Sequence, residues 1–377
     1  LAVLLMFQTH AYDAFVEAGS RATVAYRVTR ALGAVPAPAF LFLAGLGLAL
    51  AEAGAARRGA APVITRRGLA VRGLGVMGTG YAVSLAYALI DRSFAPQTLL
   101  RADILHAIGA SIALTAALFV GRGAGASRPT APCPGAQEGA PGSGAGEAAP
   151  TDATGRAAAA PWRLPALVAA LAVAGPVALG DPAPRAALHP ALAAPLALLV
   201  DVPGYTRFPL FPLVAFTIAG LVAGRRLVAR PLGARGAAGL LCVGVAAAAV
   251  AEVATHAAVD ALGRGPLTRA HPAVALNVVD GLARAAALLG AGLLLAPAPL
   301  RAVGFLLRLG RGSLLAYAAH IPLCYGALAR PLARRFDMVE ATGLVLVVAL
   351  VTYAVVRVRD ALRPRLWASR QTRPGAD

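Results

Sequence analysis

The residues best placed for chemistry stand at the end of an apolar run. Leu1–Asp13, LAVLLMFQTHAYD, is apolar until Gln8, Thr9, His10, Tyr12 and Asp13. On a helix His10 and Asp13 fall three apart on one face, where a carboxylate can orient an imidazole. An ionisable pair at membrane depth is costly and marks a functional site. The competing reading places both groups at headgroup level, where they merely end the helix. The spacing recurs along the chain. Arg101-Ala-Asp103-Ile-Leu-His106 puts Asp103 and His106 on one face, and Glu252, His256 and Asp260 follow at four-residue intervals. Asn277, Asp280 and Arg284 share a face, as do Ser313, Tyr317, His320 and Cys324. Each set has a structural alternative: an ion pair between Asp280 and Arg284, a helix start at Asp103, a packed histidine at His320.

These groups need a scaffold, and composition names its class. The chain has 377 residues, 58% hydrophobic and 14% charged, against about 25% charged in soluble domains. Long apolar runs recur from end to end, so the fold class is all-α, a polytopic membrane helix bundle. About ten spanning helices are expected, near Leu1–Phe15, Pro36–Ala53, Gly68–Ile90, Leu100–Val120, Leu164–Leu179, Phe208–Val228, Ala237–Val259, Ala273–Ala296, Val303–Ala327 and Val339–Val356. Ala186–Val200 would be an eleventh, but Pro190 and Pro195 interrupt it and a re-entrant or interfacial segment is expected instead. Residues 1–120 and 163–360 form one membrane domain. Between them, residues 121–162 are rich in Ala, Gly, Pro, Ser and Thr and read as a disordered cytoplasmic linker. Residues 361–377 read as a basic cytoplasmic tail.

The net charge of +18 is carried by arginine, for no lysine occurs. The arginines sit in short loops between apolar runs, which is positive-inside patterning and argues against a nucleic-acid partner. Arg57, Arg58, Arg66 and Arg67, then Arg225, Arg226, Arg230 and Arg235, then Arg357, Arg359, Arg363 and Arg365 are expected on the cytoplasmic side, with both termini. Arg330, Arg334 and Arg335 then fall outside, against the rule. In this orientation five helices place ionisable groups in the outer half of the membrane. Cys133, Cys242 and Cys324 have no ligand spacing, and no His-Glu-x-x-His occurs, so no metal is expected. No basic segment precedes Leu1, so no signal peptide is read there, and the first helix is expected to begin before it.

A resemblance sharpens this reading. LAVLLMFQTHAYD, PAFLFLAGLGLAL, RADILHAIG, FPLFPLVAFTIAGLVAG and LGRGSLLAYAAHIPL occur in that order. Together they resemble the bacterial relatives of heparan-α-glucosaminide N-acetyltransferase, among the transmembrane acyltransferases. The resemblance implies transfer of an acyl group from acyl-coenzyme A, acetyl-coenzyme A first, to a sugar amine or hydroxyl across the membrane. It puts the histidine of the family's first helix on His10. It also implies a bacterial cytoplasmic membrane, a glycan or glycolipid acceptor and surrounding membrane lipid as partners, with a homo-oligomer left open.

Acyl transfer from a thioester needs a base for the acceptor's proton and donors for the developing oxyanion. His10 with Asp13 is the expected base, either directly or as a transiently acylated histidine. Asp103 and His106 would hold the acceptor or serve as the working pair, and His320 completes the candidate catalytic set. Arg101, Ser313, Tyr317, Glu252 and His256 are candidate substrate-binding residues. Arg66 and Arg67 are candidates for the phosphates of coenzyme A. The main rival is a secondary transporter using the same intramembrane His, Asp and Glu groups; a non-catalytic scaffold would not need histidines on three helices.

Overall fold

With no water in a bilayer core, an apolar segment must satisfy its own backbone, and helices do so. The computed structural model describes residues 1–121, 163–178, 183–262, 273–327 and 329–371. Among them the extended structure is limited to two isolated bridges, Val16 with Phe336 and Ala102 with Thr206. In chain order the helices are α1 (Ala2–Phe15), α2 (Val24–Gly33), α3 (Pro36–Arg57), α4 (Pro62–Asp91), the single turn α5 (Pro96–Leu99) and α6 (Ile104–Phe119). After the linker come α7 (Arg163–Ala178), α8 (Pro190–Leu199), α9 (Leu210–Ala229), α10 (Ala234–Leu262), α11 (Ala273–Leu295), α12 (Leu300–Arg311), α13 (Ser313–Tyr325) and α14 (Met338–Gln371).

Six helical stretches among the described residues are long and apolar enough to cross a membrane: Val24–Arg57, Pro62–Ile90, Leu210–Ala229, Ala234–Ala258, Val274–Leu295 and Met338–Leu362. Ile104–Phe119, Pro165–Gly175, Pro190–Leu199 and Ser313–Tyr325 are apolar but shorter. Among the described residues, six of the ten expected spans reach that length. Val303–Ala327, expected as one helix, is two: α12 carries Arg301, Arg308 and Arg311, which keep one face polar, and the chain breaks at Gly312 before α13. α2 was not foreseen; it is short, carries Arg27 and Arg30, and is capped by the Thr23 hydroxyl accepting from the Tyr26 amide. The linker, apart from Gly121, lies outside the described residues. The expected tail continues α14 as helix to Gln371.

The bundle's axis is the contact of α3 with α9. A Cβ on Gly45 would collide with the Thr217 carbonyl, and one on Gly220 with the Phe42 carbonyl, so both positions need glycine for the backbones to meet. The two helices run parallel and their carboxyl ends share an ionic clamp. Arg225 donates to both Glu52 oxygens, at 2.9 and 3.0 Å, and to the Phe119 carbonyl at 2.7 Å. Glu52 also accepts from the Gly121 amide at 2.6 Å, which fixes the point where the linker leaves. This end carries Arg57, Arg58, Arg225 and Arg226 together, as positive-inside patterning requires. At the opposite end the Arg334 amide donates to the Ala14 carbonyl, so that cluster does lie away from the others.

α10 and α11 form a peripheral pair. Arg284 binds Asp280 at 2.8 Å and Glu252 at 2.6 Å, and donates to the Ala31 carbonyl at the end of α2. Arg284 thus fastens α11 to α10 and α2, with Asp280 supporting it from its own helix. On the other flank α1 packs on α13 and α14 through Phe7, Ala11, Phe15 and Ala316.

Candidate active site

α1, α3, α4, α6 and α13 enclose a cavity of about 1570 Å³. Its wall along α4 runs from Leu69 to Tyr87, about 27 Å of helix at 1.5 Å per residue. That is close to the ~30 Å hydrocarbon thickness of a bilayer. At one end the lining includes His10, Asp13, Arg101, Asp103, Arg207 and Tyr325. At the other it includes Arg72, Arg311 and Arg359.

His10 and Asp13 do not pair directly, and here the sequence expectation is corrected. His10 Nδ1 lies 3.1 Å from Tyr325 Oη, and that hydroxyl donates to Asp13 Oδ2 at 2.9 Å. Tyr325 closes α13 and stands edge-on to the His10 ring, with centroids 5.6 Å apart. Asp13 is 53% exposed and has a second neighbour in Arg21, at 4.0 Å. Arg21 also donates to the carbonyls of Asp13 and Val16, holding the end of α1.

Asp103 and His106 build the start of α6. Asp103 Oδ1 accepts from the Ile104 amide at 2.7 Å, and the Asp103 amide donates to His106 Nδ1 at 3.1 Å. This is a reciprocal cap in which histidine fills the place usually held by Glu or Gln. An imidazole that accepts at Nδ1 carries its proton on Nε2 when neutral. That Nε2 is buried against α4 with no partner among the described residues. A Cβ on Gly80 would lie 3.0 Å from it, and Tyr81 stands edge-on to the ring at 4.2 Å between centroids. His106 therefore borders the cavity with its reactive nitrogens engaged or covered. Asp103 keeps a carboxylate oxygen toward α13, where Tyr317 donates to Oδ2 at 3.3 Å.

His320 is fully buried and does not line the cavity. Its Nδ1 donates to the Ala316 carbonyl at 3.0 Å, and its ring packs 5.1 Å from His10 and 5.3 Å from Phe7, centroid to centroid. It backs His10 rather than facing a ligand. Ser313 and Tyr317 line the cavity, as does Arg101. Besides His320, four expected site residues are absent from the lining. Glu252 is fastened to Arg284 on the peripheral α10, and His256, one turn on, is exposed. Arg66 and Arg67 sit in the first turns of α4, before the cavity begins.

Residues 1–126 match the family model described as Heparan-alpha-glucosaminide N-acetyltransferase, catalytic. Over that region the chain is similar to the heparan-α-glucosaminide N-acetyltransferase family. No curated protein and no solved structure matches the chain. The N-acetyltransferase-like region, with the apolar helices around it, points to a multi-pass membrane acyltransferase. It supplies His10, Asp13, Asp103 and His106, while Tyr317, Tyr325, Arg207 and Arg311 reach the same cavity from beyond it. Sequence reasoning missed Tyr325 because the polar stripe Ser313, Tyr317, His320, Cys324 was followed at strict helical period. The cavity instead follows Ser313, Tyr317, Ile321 and Tyr325 along α13. Arg207 had no periodic signal at all; a backbone link between Ala102 and Tyr205–Phe208 places it beside α6.

Proposed function

We propose that the chain transfers an acyl group from acyl-coenzyme A, acetyl-coenzyme A first, to a sugar amine or hydroxyl, with donor and acceptor entering the cavity from opposite sides of the membrane. The observation that carries this reading is the continuity of the cavity. One lined space of about 1570 Å³ runs from the His10 end to the Arg72 end, with the family-matched region supplying α1, α3, α4 and α6 and the later chain supplying α13. Such a space accommodates the long pantetheine arm of the donor, and arginines at one mouth suit its phosphates. Arg72 and Arg311 have side chains with no hydrogen bond or ion pair among the described residues, whereas Arg359 is held by Asp360 at 2.6 Å. Arg72 and Arg311 are therefore the phosphate ligands in this reading, in place of Arg66 and Arg67. Positive-inside patterning makes that end cytoplasmic.

At the other end His10 takes the proton of the acceptor's hydroxyl or amine as its oxygen or nitrogen attacks the thioester carbonyl. The new C–O or C–N bond forms, the C–S bond breaks, and the proton passes from His10 to the departing thiolate. Arg101 and Arg207 stand at this mouth and would orient the acceptor. Tyr317 and Asp103 hold α13 to α6 and fix the wall opposite His10.

The test uses the full chain in sealed vesicles, with radiolabelled acetyl-coenzyme A on the arginine side and glucosamine-terminated oligosaccharide on the other. Label should appear covalently on the oligosaccharide. Arg72→Ala with Arg311→Ala should raise the apparent KM for acetyl-coenzyme A at least tenfold and leave kcat within about twofold, since each removes one charge-assisted contact. Movement of intact labelled donor or free sugar without covalent transfer would instead establish the transporter reading.

A further inference from the structure

We propose that Tyr325 is the positioning residue of this site: its hydroxyl holds His10 as the Nδ1–H tautomer and links it to Asp13. The inference rests on the reading of His10 as the base. It follows from counting donors and acceptors. Tyr325 Oη has a single proton and two close neighbours, Asp13 Oδ2 at 2.9 Å and His10 Nδ1 at 3.1 Å. A carboxylate only accepts, so the phenolic proton must go to Asp13 if that contact is a hydrogen bond. The phenolic oxygen is then left as an acceptor, and His10 Nδ1 must be the donor. The opposite assignment would set two acceptor oxygens 2.9 Å apart with no proton between them. With Nδ1 protonated, a neutral His10 carries its lone pair on Nε2, the nitrogen a general base uses.

The arrangement is built by the fold rather than by local sequence, since Tyr325 and His10 are 315 residues apart. α1 is strapped to the connection between α13 and α14. The Glu17 amide donates to the Phe336 carbonyl at 2.9 Å, and the Phe336 amide to the Phe15 carbonyl at 3.1 Å. Tyr12 adds a 2.7 Å hydrogen bond to Thr342 on α14. These contacts fix the end of α1 against α13, so the phenol meets both groups at once. His320 closes the other side of the imidazole, 5.1 Å away between centroids, and offers it no competing donor, because its own Nδ1 proton is spent on Ala316.

The test is nitrogen NMR on the ¹⁵N-histidine-labelled full chain in nanodiscs, above neutral pH, with the His10 signals identified by their loss in His10→Gln. Wild type should show a protonated Nδ1 and an unprotonated Nε2. Tyr325→Phe should collapse this to a mixture of tautomers. The two Asp13 variants should diverge: Asp13→Asn still accepts from the phenol and keeps the wild-type pattern, whereas Asp13→Ala frees the phenolic proton for His10 Nδ1 and moves the imidazole proton to Nε2. In acyl transfer, Tyr325→Phe and Asp13→Ala should lower kcat roughly tenfold, one hydrogen bond's worth, with KM for acetyl-coenzyme A unchanged. If Tyr325→Phe fails to fold, the Asp13 pair alone decides. An Nε2–H wild type, or a tautomer indifferent to both Tyr325→Phe and Asp13→Ala, overturns the proposal. Tautomers that respond as expected in variants with undiminished transfer leave the relay standing and remove His10 from the chemistry.

Discussion

His10→Ala is expected to lower acyl transfer by ~10²–10⁴-fold, the contribution of a general base, while the protein remains inserted and folded. The two halves of this expectation come from different features. His10 is only half buried and lines the cavity, so its loss enlarges an existing space and opens no new void in a packed core. The packing of α1 against α13 and α14 is carried by Phe7, Ala11 and Phe15, which the substitution leaves in place. Removal of the imidazole nevertheless takes away the one cavity-lining histidine, among the described residues, whose nitrogens are neither covered nor committed to backbone. The measurement is covalent transfer from labelled acetyl-coenzyme A, normalised to the amount of monodisperse protein extracted from each membrane preparation. Transfer at the wild-type rate by a well-folded His10→Ala protein would take helix α1 out of the mechanism.

The second large effect separates two glycines on one helix. Gly45→Leu should abolish assembly, because even a Cβ at that position collides with the Thr217 carbonyl of α9. The helices must part to admit it, and overpacking of this kind costs ~3 kcal/mol at the upper end of its usual range. That is a large share of a total stability of about 5–15 kcal/mol. Gly47→Leu, two residues on, should leave abundance and thermal stability near wild type, since a Cβ there meets nothing within 4 Å. Its side chain would enter the cavity that Gly47 lines and obstruct the donor. The first variant is read by extraction yield and melting temperature, the second by transfer rate in protein of normal yield. Equal stability of the two variants would contradict the close approach of α3 to α9.

Apolar length alone made the helices legible. α3, α9, α10 and α11 follow runs that need no tertiary information, because each satisfies its own backbone. Where arginine and glycine interrupt a run, as at Arg308–Gly312, length misled, and one expected helix proved to be an amphipathic piece followed by a buried one. Shared-face spacing found His10, Asp13, Asp103 and Tyr317, because ionisable side chains inside a bundle do gather on the inward face. It could not rank them. His106 and His320 have the same residue type and similar spacing as His10, yet backbone groups of their own helices occupy one nitrogen of each. Glu252 and His256 carry a periodic polar face that serves to fasten a peripheral helix pair. Partners on different helices, such as Tyr325 with Asp13 or Arg207 with the α6 start, leave no trace in spacing because hundreds of residues or a bend separate them.

The division of the cavity between the two sides of the linker bears on how such a protein can be inherited. The family-matched region ends close to where α6 ends, and taken by itself it looks like a unit that recombination could move. It would carry away the imidazole and the carboxylate but leave behind the tyrosine that joins them, the arginine at each mouth contributed by the second half, and the helix on which α3 lies. A gene fusion that kept residues 1–126 alone would thus pass on the family signature with only part of the cavity's lining. The heritable unit is the matched pair of halves, since each contributes side chains to the one cavity.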